Sequence, residues 1–104
     1  MSADEPLILV VDDNEMNRDM LSRRLERQGY RSLLAEDGAQ AVELLAAHNF
    51  DLVLLDIMMP RMNGYQVLEH IKHTDALRHI PVIMISAVDD LDSVVKCVEM
   101  GAED

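Results

Sequence analysis

Cysteine is nearly missing from this chain: Cys97 stands alone among 104 residues, which excludes an internal disulfide. Positive charge is scarce as well, with 9 lysines and arginines against 20 aspartates and glutamates and a formal net charge of -11. A field of that sign repels nucleic acid phosphates and anionic lipid, so direct binding to nucleic acid or to a membrane surface is not expected. Long apolar runs are lacking too, the longest falling far short of the roughly 20 residues that a membrane-spanning helix needs. The opening Met1-Ser2-Ala3-Asp4-Glu5-Pro6 has no resemblance to a secretory signal, and a cytoplasmic location is the expectation. There is no internal repeat or low-complexity tract. A chain of 104 residues suffices for one hydrophobic core, so residues 1–104 read as a single domain.

What the chain does contain is a set of short, unbroken aliphatic runs. Leu7 to Val11, Leu52 to Leu55 and Val82 to Ile85 lack polar alternation, so each reads as a strand covered on both faces, as in a parallel sheet flanked by helices. A weaker strand fits Arg31 to Ala35. Between them lie segments of helical spacing. The first, with Asn14 as N-cap, places Met16, Met20, Leu21 and Leu25 inward and closes at Gly29. The second follows the Asp37-Gly38 turn and runs from about Ala39 to His48, with Ala41, Leu44 and Leu45 inward. A third spans about Tyr65 to Thr74 around Val67, Leu68 and Ile71, and a fourth about Leu91 to Met100, stopping at Gly101. This βαβαβαβα order with short, right-handed connections predicts an α/β, doubly wound parallel sheet of strand order 2-1-3-4. In that order the first and third strands are neighbours whose helices leave in opposite directions, so their carboxyl ends open onto a crevice.

Asp12 and Asp13 follow the first strand and Asp56 ends the third, which brings three carboxylates from distant parts of the sequence to that crevice. Two unit charges about 4 Å apart repel by roughly 4 kcal/mol at an effective dielectric near 20. Three together must therefore raise a pKa or recruit a cation. With oxygen ligands and no Cys or His in the pattern, the expected cation is a hard one, Mg²⁺, typically held by one or two carboxylates plus water and phosphate oxygens. A carboxylate in such a place can attack phosphorus and form an acyl phosphate. Adjacent aspartates after a strand are also common as a solvated loop and helix cap, and it is Asp56 that tilts the balance toward a site.

The stretches Ile8-Leu9-Val10-Val11-Asp12-Asp13-Asn14, Asp51-Leu52-Val53-Leu54-Leu55-Asp56-Ile57-Met58-Met59-Pro60-Arg61-Met62-Asn63-Gly64 and Pro81-Val82-Ile83-Met84-Ile85-Ser86-Ala87 together resemble the receiver domain of two-component response regulators. The resemblance implies a flavodoxin-like fold and a signalling domain that catalyses only its own Mg²⁺-dependent phosphorylation and dephosphorylation. In it, Asp56 would accept a phosphoryl group from a sensor histidine kinase or histidine phosphotransfer protein and switch an output domain. Asp13, Asp56 and the backbone carbonyl of Met58 would bind Mg²⁺, with Asp12 acting mostly through metal-bound water. Ser86 would hydrogen-bond a phosphoryl oxygen and draw its loop inward on activation, while Pro60 and Gly64 would shape the loop after the acceptor.

Receivers of this family continue into a fifth strand with an aromatic switch residue, a phosphate-binding lysine followed by proline, and a fifth helix; these motifs are missing before the sequence ends at Gly101-Ala102-Glu103-Asp104. Lys72 and Lys96 fall on predicted helices away from the crevice and do not replace that lysine. With the fifth strand and helix missing, Val82 to Ile85 is expected to be an exposed edge through which a homodimer can form. The rival reading is accordingly a receiver-like interaction or dimerisation module that is not phosphorylated. A cofactor phosphate would face Asp12-Asp13 in place of a Gly/Ser/Thr-rich loop, which opposes a cofactor site. Met16, Met20, Met84 and Met100 fall where core residues are expected, whereas Met58, Met59 and Met62 surround the acceptor as a docking surface for a partner kinase. His48, His70, His73 and His79 read as surface residues, and Cys97 as a buried or half-buried thiol.

Overall fold

In the computed structural model, residues 5–56 and 64–85 are described. The four expected strands are β1 (Leu7–Val11), β2 (Arg31–Ala35), β3 (Leu52–Asp56) and β4 (Val82–Ile85). They alternate with three helices, α1 (Glu15–Arg27), α2 (Gly38–Ala47) and α3 (Gly64–His73). All strand pairs are parallel, and the order is β2-β1-β3-β4, a flavodoxin-like doubly wound sheet.

The aliphatic runs form central strands because helices cover both of their faces. Leu9, Val11, Val53 and Leu55 pack with Ala41 and Leu45 of α2 and Val67 and Ile71 of α3. Ile8, Val10 and Leu54 point the other way, against Leu21 and Leu25 of α1. Leu9, Val10, Val11, Val53, Leu54 and Leu55 are all 0% exposed, each such burial being worth about 1.5–3 kcal/mol. At the start of the pair, the Leu7 N–H donates to Asp51 Oδ2 at 2.8 Å and the Asp51 N–H returns a bond to the Leu7 carbonyl at 2.8 Å. That reciprocal pair sets β1 and β3 in step, Ile8 opposite Leu52 and Val11 opposite Leu55.

Capping chemistry fixes the helix ends. Asn14 accepts from the Asn17 N–H at the start of α1, and Asp37 from the Gln40 N–H at the start of α2. At the end of α1, Gly29 adopts φ +89°, and the N–H groups of Gly29 and Tyr30 bond the carbonyls of Glu26 and Leu25. This is the Schellman arrangement, which needs the left-handed backbone that glycine adopts without a Cβ penalty. After α3, the Thr74 Oγ1 hydroxyl donates to the His70 carbonyl. A turn then buries Leu77 and Ile80 beneath the α2/α3 layer.

The sequence expectations need correction at several points. α2 and α3 each begin and end one residue before the expected bounds, while β3 ends at Asp56 as expected. Met16 and Met20 are not core residues: they are 79% and 38% exposed. The inner stripe of α1 is Arg18, Leu21, Ser22 and Leu25, at i, i+3, i+4 and i+7. Met20 is turned about 100° away from Leu21, and Met16 further still. Met84 is half-buried against the core as expected, and His48, His73 and His79 are exposed with His70 half-buried. The expected fourth helix, with Cys97, Met100 and Gly101, lies outside the described residues.

Candidate functional site

Side chains alternate along a strand, so a register fixes which residues share a face. On β1 and β3 the α1 face takes Ile8, Val10 and Leu54. Continuing by twos places Asp12 and Asp56 on that same face, beside one another because Val11 is opposite Leu55. Asp13 belongs to the turn that leads into α1. Oxygens of Asp12, Asp13 and Asp56 lie within 4.8 Å of one another, which is the convergence expected from the sequence. Asp12 is buried at 3% exposure, Asp56 is half-buried and Asp13 is exposed.

Asp12 is held at four points. Its N–H extends the sheet by donating to the Ala35 carbonyl at 3.1 Å, and its own carbonyl accepts from Arg18 Nη1 at 2.7 Å. Its carboxylate accepts from the Asn14 N–H at 2.9 Å on Oδ1 and from Asn17 Nδ2 at 3.4 Å on Oδ2. Burial pushes the Asp12 carboxyl above its ordinary range. The bonds from Asn14 and Asn17 oppose that rise, the Asp13 charge adds to it, and the Arg18 charge works against it. Asp13, by contrast, makes no hydrogen bond or ion pair among the described residues. One carboxylate is thus locked and one is free, and both are within reach of the strand-end Asp56.

Such a donor set fits a hard divalent ion. Among the described residues the cluster offers carboxylate oxygens alone, a buried member resists ionisation, and Asp13 is exposed to solvent. Ile85 is the register partner of Asp56, so the end of β4 also arrives beside the acidic group. The remaining residues singled out there, Ser86, Met58, Met59, Pro60 and Met62, lie outside the described residues. Lys72 sits exposed in the last turn of α3, at the end of the helix remote from the acidic group. Sequence reading missed Asn17 and Arg18. The available signal was position, since Arg18 stands three residues before Leu21 and seven before Leu25, on the stripe where an apolar residue belongs.

A family model described as the response regulator receiver domain matches residues 8–104. Regulator of RpoS from Escherichia coli (strain K12) is 39% identical over 97 residues, covering 93% of this chain and 28% of that protein; the chain spans little more than a quarter of that relative's length. Two-component response regulator ORR3 from Oryza sativa subsp. indica is 35% identical over 101 residues, covering 96% of this chain and 77% of that protein. Among solved structures, the N-terminal domain of a response regulator receiver protein from Methanoculleus marisnigri JR1 has a TM-score of 0.73 and 42% identity, over 86% of this chain and 76% of that one. The Vibrio cholerae chemotaxis protein CheY4 gives a TM-score of 0.75 at 25% identity, over 88% and 80%. With the family model running from the second residue of β1 to the last residue of the sequence, and a fold shared with those structures, the chain belongs to the response regulator receiver domains.

Proposed function

We propose that residues 1–104 form one phosphorylatable receiver in which Asp56 takes a phosphoryl group from a histidine kinase or phosphotransfer protein and so controls an output domain. The gathering of Asp12, Asp13 and Asp56 within 4.8 Å at the carboxyl edge of the sheet carries this reading. No helix among the described residues is long and apolar enough to cross a membrane, and we place the reaction in the cytoplasm.

A carboxylate oxygen of Asp56 attacks the donor's phosphorus, a P–O bond forms as the bond from phosphorus to the donor nitrogen breaks, and the electron pair leaves with the imidazole. The backbone of β3 aims Asp56, with the locked Asp12 beside it on the same face and the exposed Asp13 in the turn that follows β1. Asp13, Asp56 and the Met58 carbonyl, together with Asp12, would hold Mg²⁺, which would supply the positive charge that lets an anionic donor approach. Ser86 is assigned the hydrogen bond to a phosphoryl oxygen.

Incubation with acetyl phosphate and Mg²⁺ is expected to add one phosphoryl group by intact mass, with none added to Asp56→Asn. Labelling that survives Asp56→Asn, or a lack of labelling both here and in a chain extended past Asp104, would defeat the proposal.

A further inference from the structure

We infer that Arg18 is a positioning residue: its guanidinium, anchored on the Asp12 carbonyl, holds the β1–α1 turn in the shape that aims Asp12 and Asp13 at Asp56. This rests on the reading of the acidic group as the phosphoacceptor site, and extends it to a residue outside that group.

Three observations converge on the role. Arg18 occupies the inner stripe of α1 above Leu21, a position an aliphatic residue would fill if packing alone decided. From there Nη1 reaches a backbone carbonyl at 2.7 Å and makes no bond to any carboxylate of the cluster. The neighbouring Asn17 grips the same residue from the same helix through its carboxylate. The Asp12 carbonyl lies just past the last β1 residue, where no backbone donor from the sheet reaches it among the described residues. Arg18 takes over that task, and the planar fork of arginine suits it. A turn tied to α1 in this way carries the cluster's orientation in the helix and leaves Asp13 without a partner among the described residues.

Two roles for Arg18 predict opposite signs. If the guanidinium acted only through its charge, it would repel an incoming cation, and its removal would tighten Mg²⁺ binding. If it positions the turn, removal loosens the cluster and weakens Mg²⁺ binding. Arg18→Met, which keeps the aliphatic stem, is therefore compared with the parent chain by titration calorimetry with Mg²⁺ and by amide hydrogen exchange without metal. Loss of a charge-assisted bond predicts about tenfold weaker Mg²⁺ binding. Exchange at the Asn14 amide, which donates to Asp12, should be about tenfold faster, beyond any common change at Val10 and Leu54. Arg18→Lys, retaining a charged donor, should restore part of both.

Unchanged or tighter Mg²⁺ binding in Arg18→Met overturns the inference, as does an Asn14 amide that changes only in step with Val10 and Leu54. If Arg18→Met does not fold, Arg18→Gln carries the same expectations and the same refutations. A parent chain that takes up no Mg²⁺ fells the site reading and the inference together. Mg²⁺ uptake by the parent that is unaltered in the Arg18 variants fells the inference alone.

Discussion

Replacing Asp12 with asparagine should stabilise the metal-free chain, even though Asp12 is buried and hydrogen-bonded. At 4.8 Å, two carboxylates repel by about 3.5 kcal/mol at an effective dielectric of 20 and by about 0.9 kcal/mol in bulk water. Asp13 is exposed and Asp56 half-buried, so the Asp12–Asp13 repulsion falls near the lower limit and the Asp12–Asp56 repulsion between the two, together about 3 kcal/mol. Asparagine keeps an acceptor for the Asn14 N–H but loses the charge assistance and the attraction of Arg18, while escaping the burial cost of a charge, for a remaining cost of about 1 kcal/mol. The net gain is about 2 kcal/mol, which at a urea slope of about 1–2 kcal/mol/M moves the midpoint up by roughly 1–2 M. The pH profile provides a second readout. The folded-state pKa of Asp12 is raised from the ordinary 3.8, chiefly by burial, so the folded chain holds this proton more tightly than the unfolded one. The associated stability is fully present below the ordinary value, is lost as pH rises through the raised one, and stays lost above it. Asp12→Asn should flatten that decline, and its gain from added Mg²⁺ should be smaller than the parent's. Urea titrations at a series of pH values, with and without Mg²⁺, test all three. A variant less stable than the parent at neutral pH without metal, with its pH slope unchanged, would show that hydrogen bonding outweighs repulsion and that the electrostatic reasoning is wrong.

Two further predictions concern the scaffold. Gly29→Ala meets no atom within 4 Å, so its cost is backbone strain at φ +89°, about 1 kcal/mol; an unshifted urea midpoint would argue against the left-handed cap. Asp51→Ala removes the bond to the Leu7 N–H and should cost about 1 kcal/mol. Mg²⁺ affinity should stay as in the parent, because Asp51 lies at the opposite end of the strands, and a large loss of affinity would contradict that separation.

Much of this architecture was legible beforehand, for identifiable reasons. β1 and β3 are unbroken aliphatic runs, which in a short chain leave little choice but a doubly covered sheet. Asn14 and Gly29 announced helix ends because capping is local chemistry, read without knowing the tertiary fold, whereas Asp37 was read only as part of a turn. The three acidic residues could be grouped because each stood at a strand end, and strand order then brought those ends together. The methionines of α1 were misjudged because Arg18 disguised the inner stripe: with a charge standing at one of its positions, Met16 and Met20 offered a more apolar but wrong helical phase. The part played by Asn17 and Arg18 was hidden for a related reason, since it depends on where a long side chain meets a carbonyl and not on any spacing of residue types. The expectations for Ser86 and Met58 fall outside the described residues.

Because β1 and β3 start from the Leu7–Asp51 pair and keep step to Val11 and Leu55, the acidic site is placed by counting. Deleting one residue from either strand would send one carboxylate through to the far side of the sheet, while added length between α2 and β3 would leave the count intact. What descent must guard in these two strands is their number of residues, more strictly than which aliphatic side chain fills any one place.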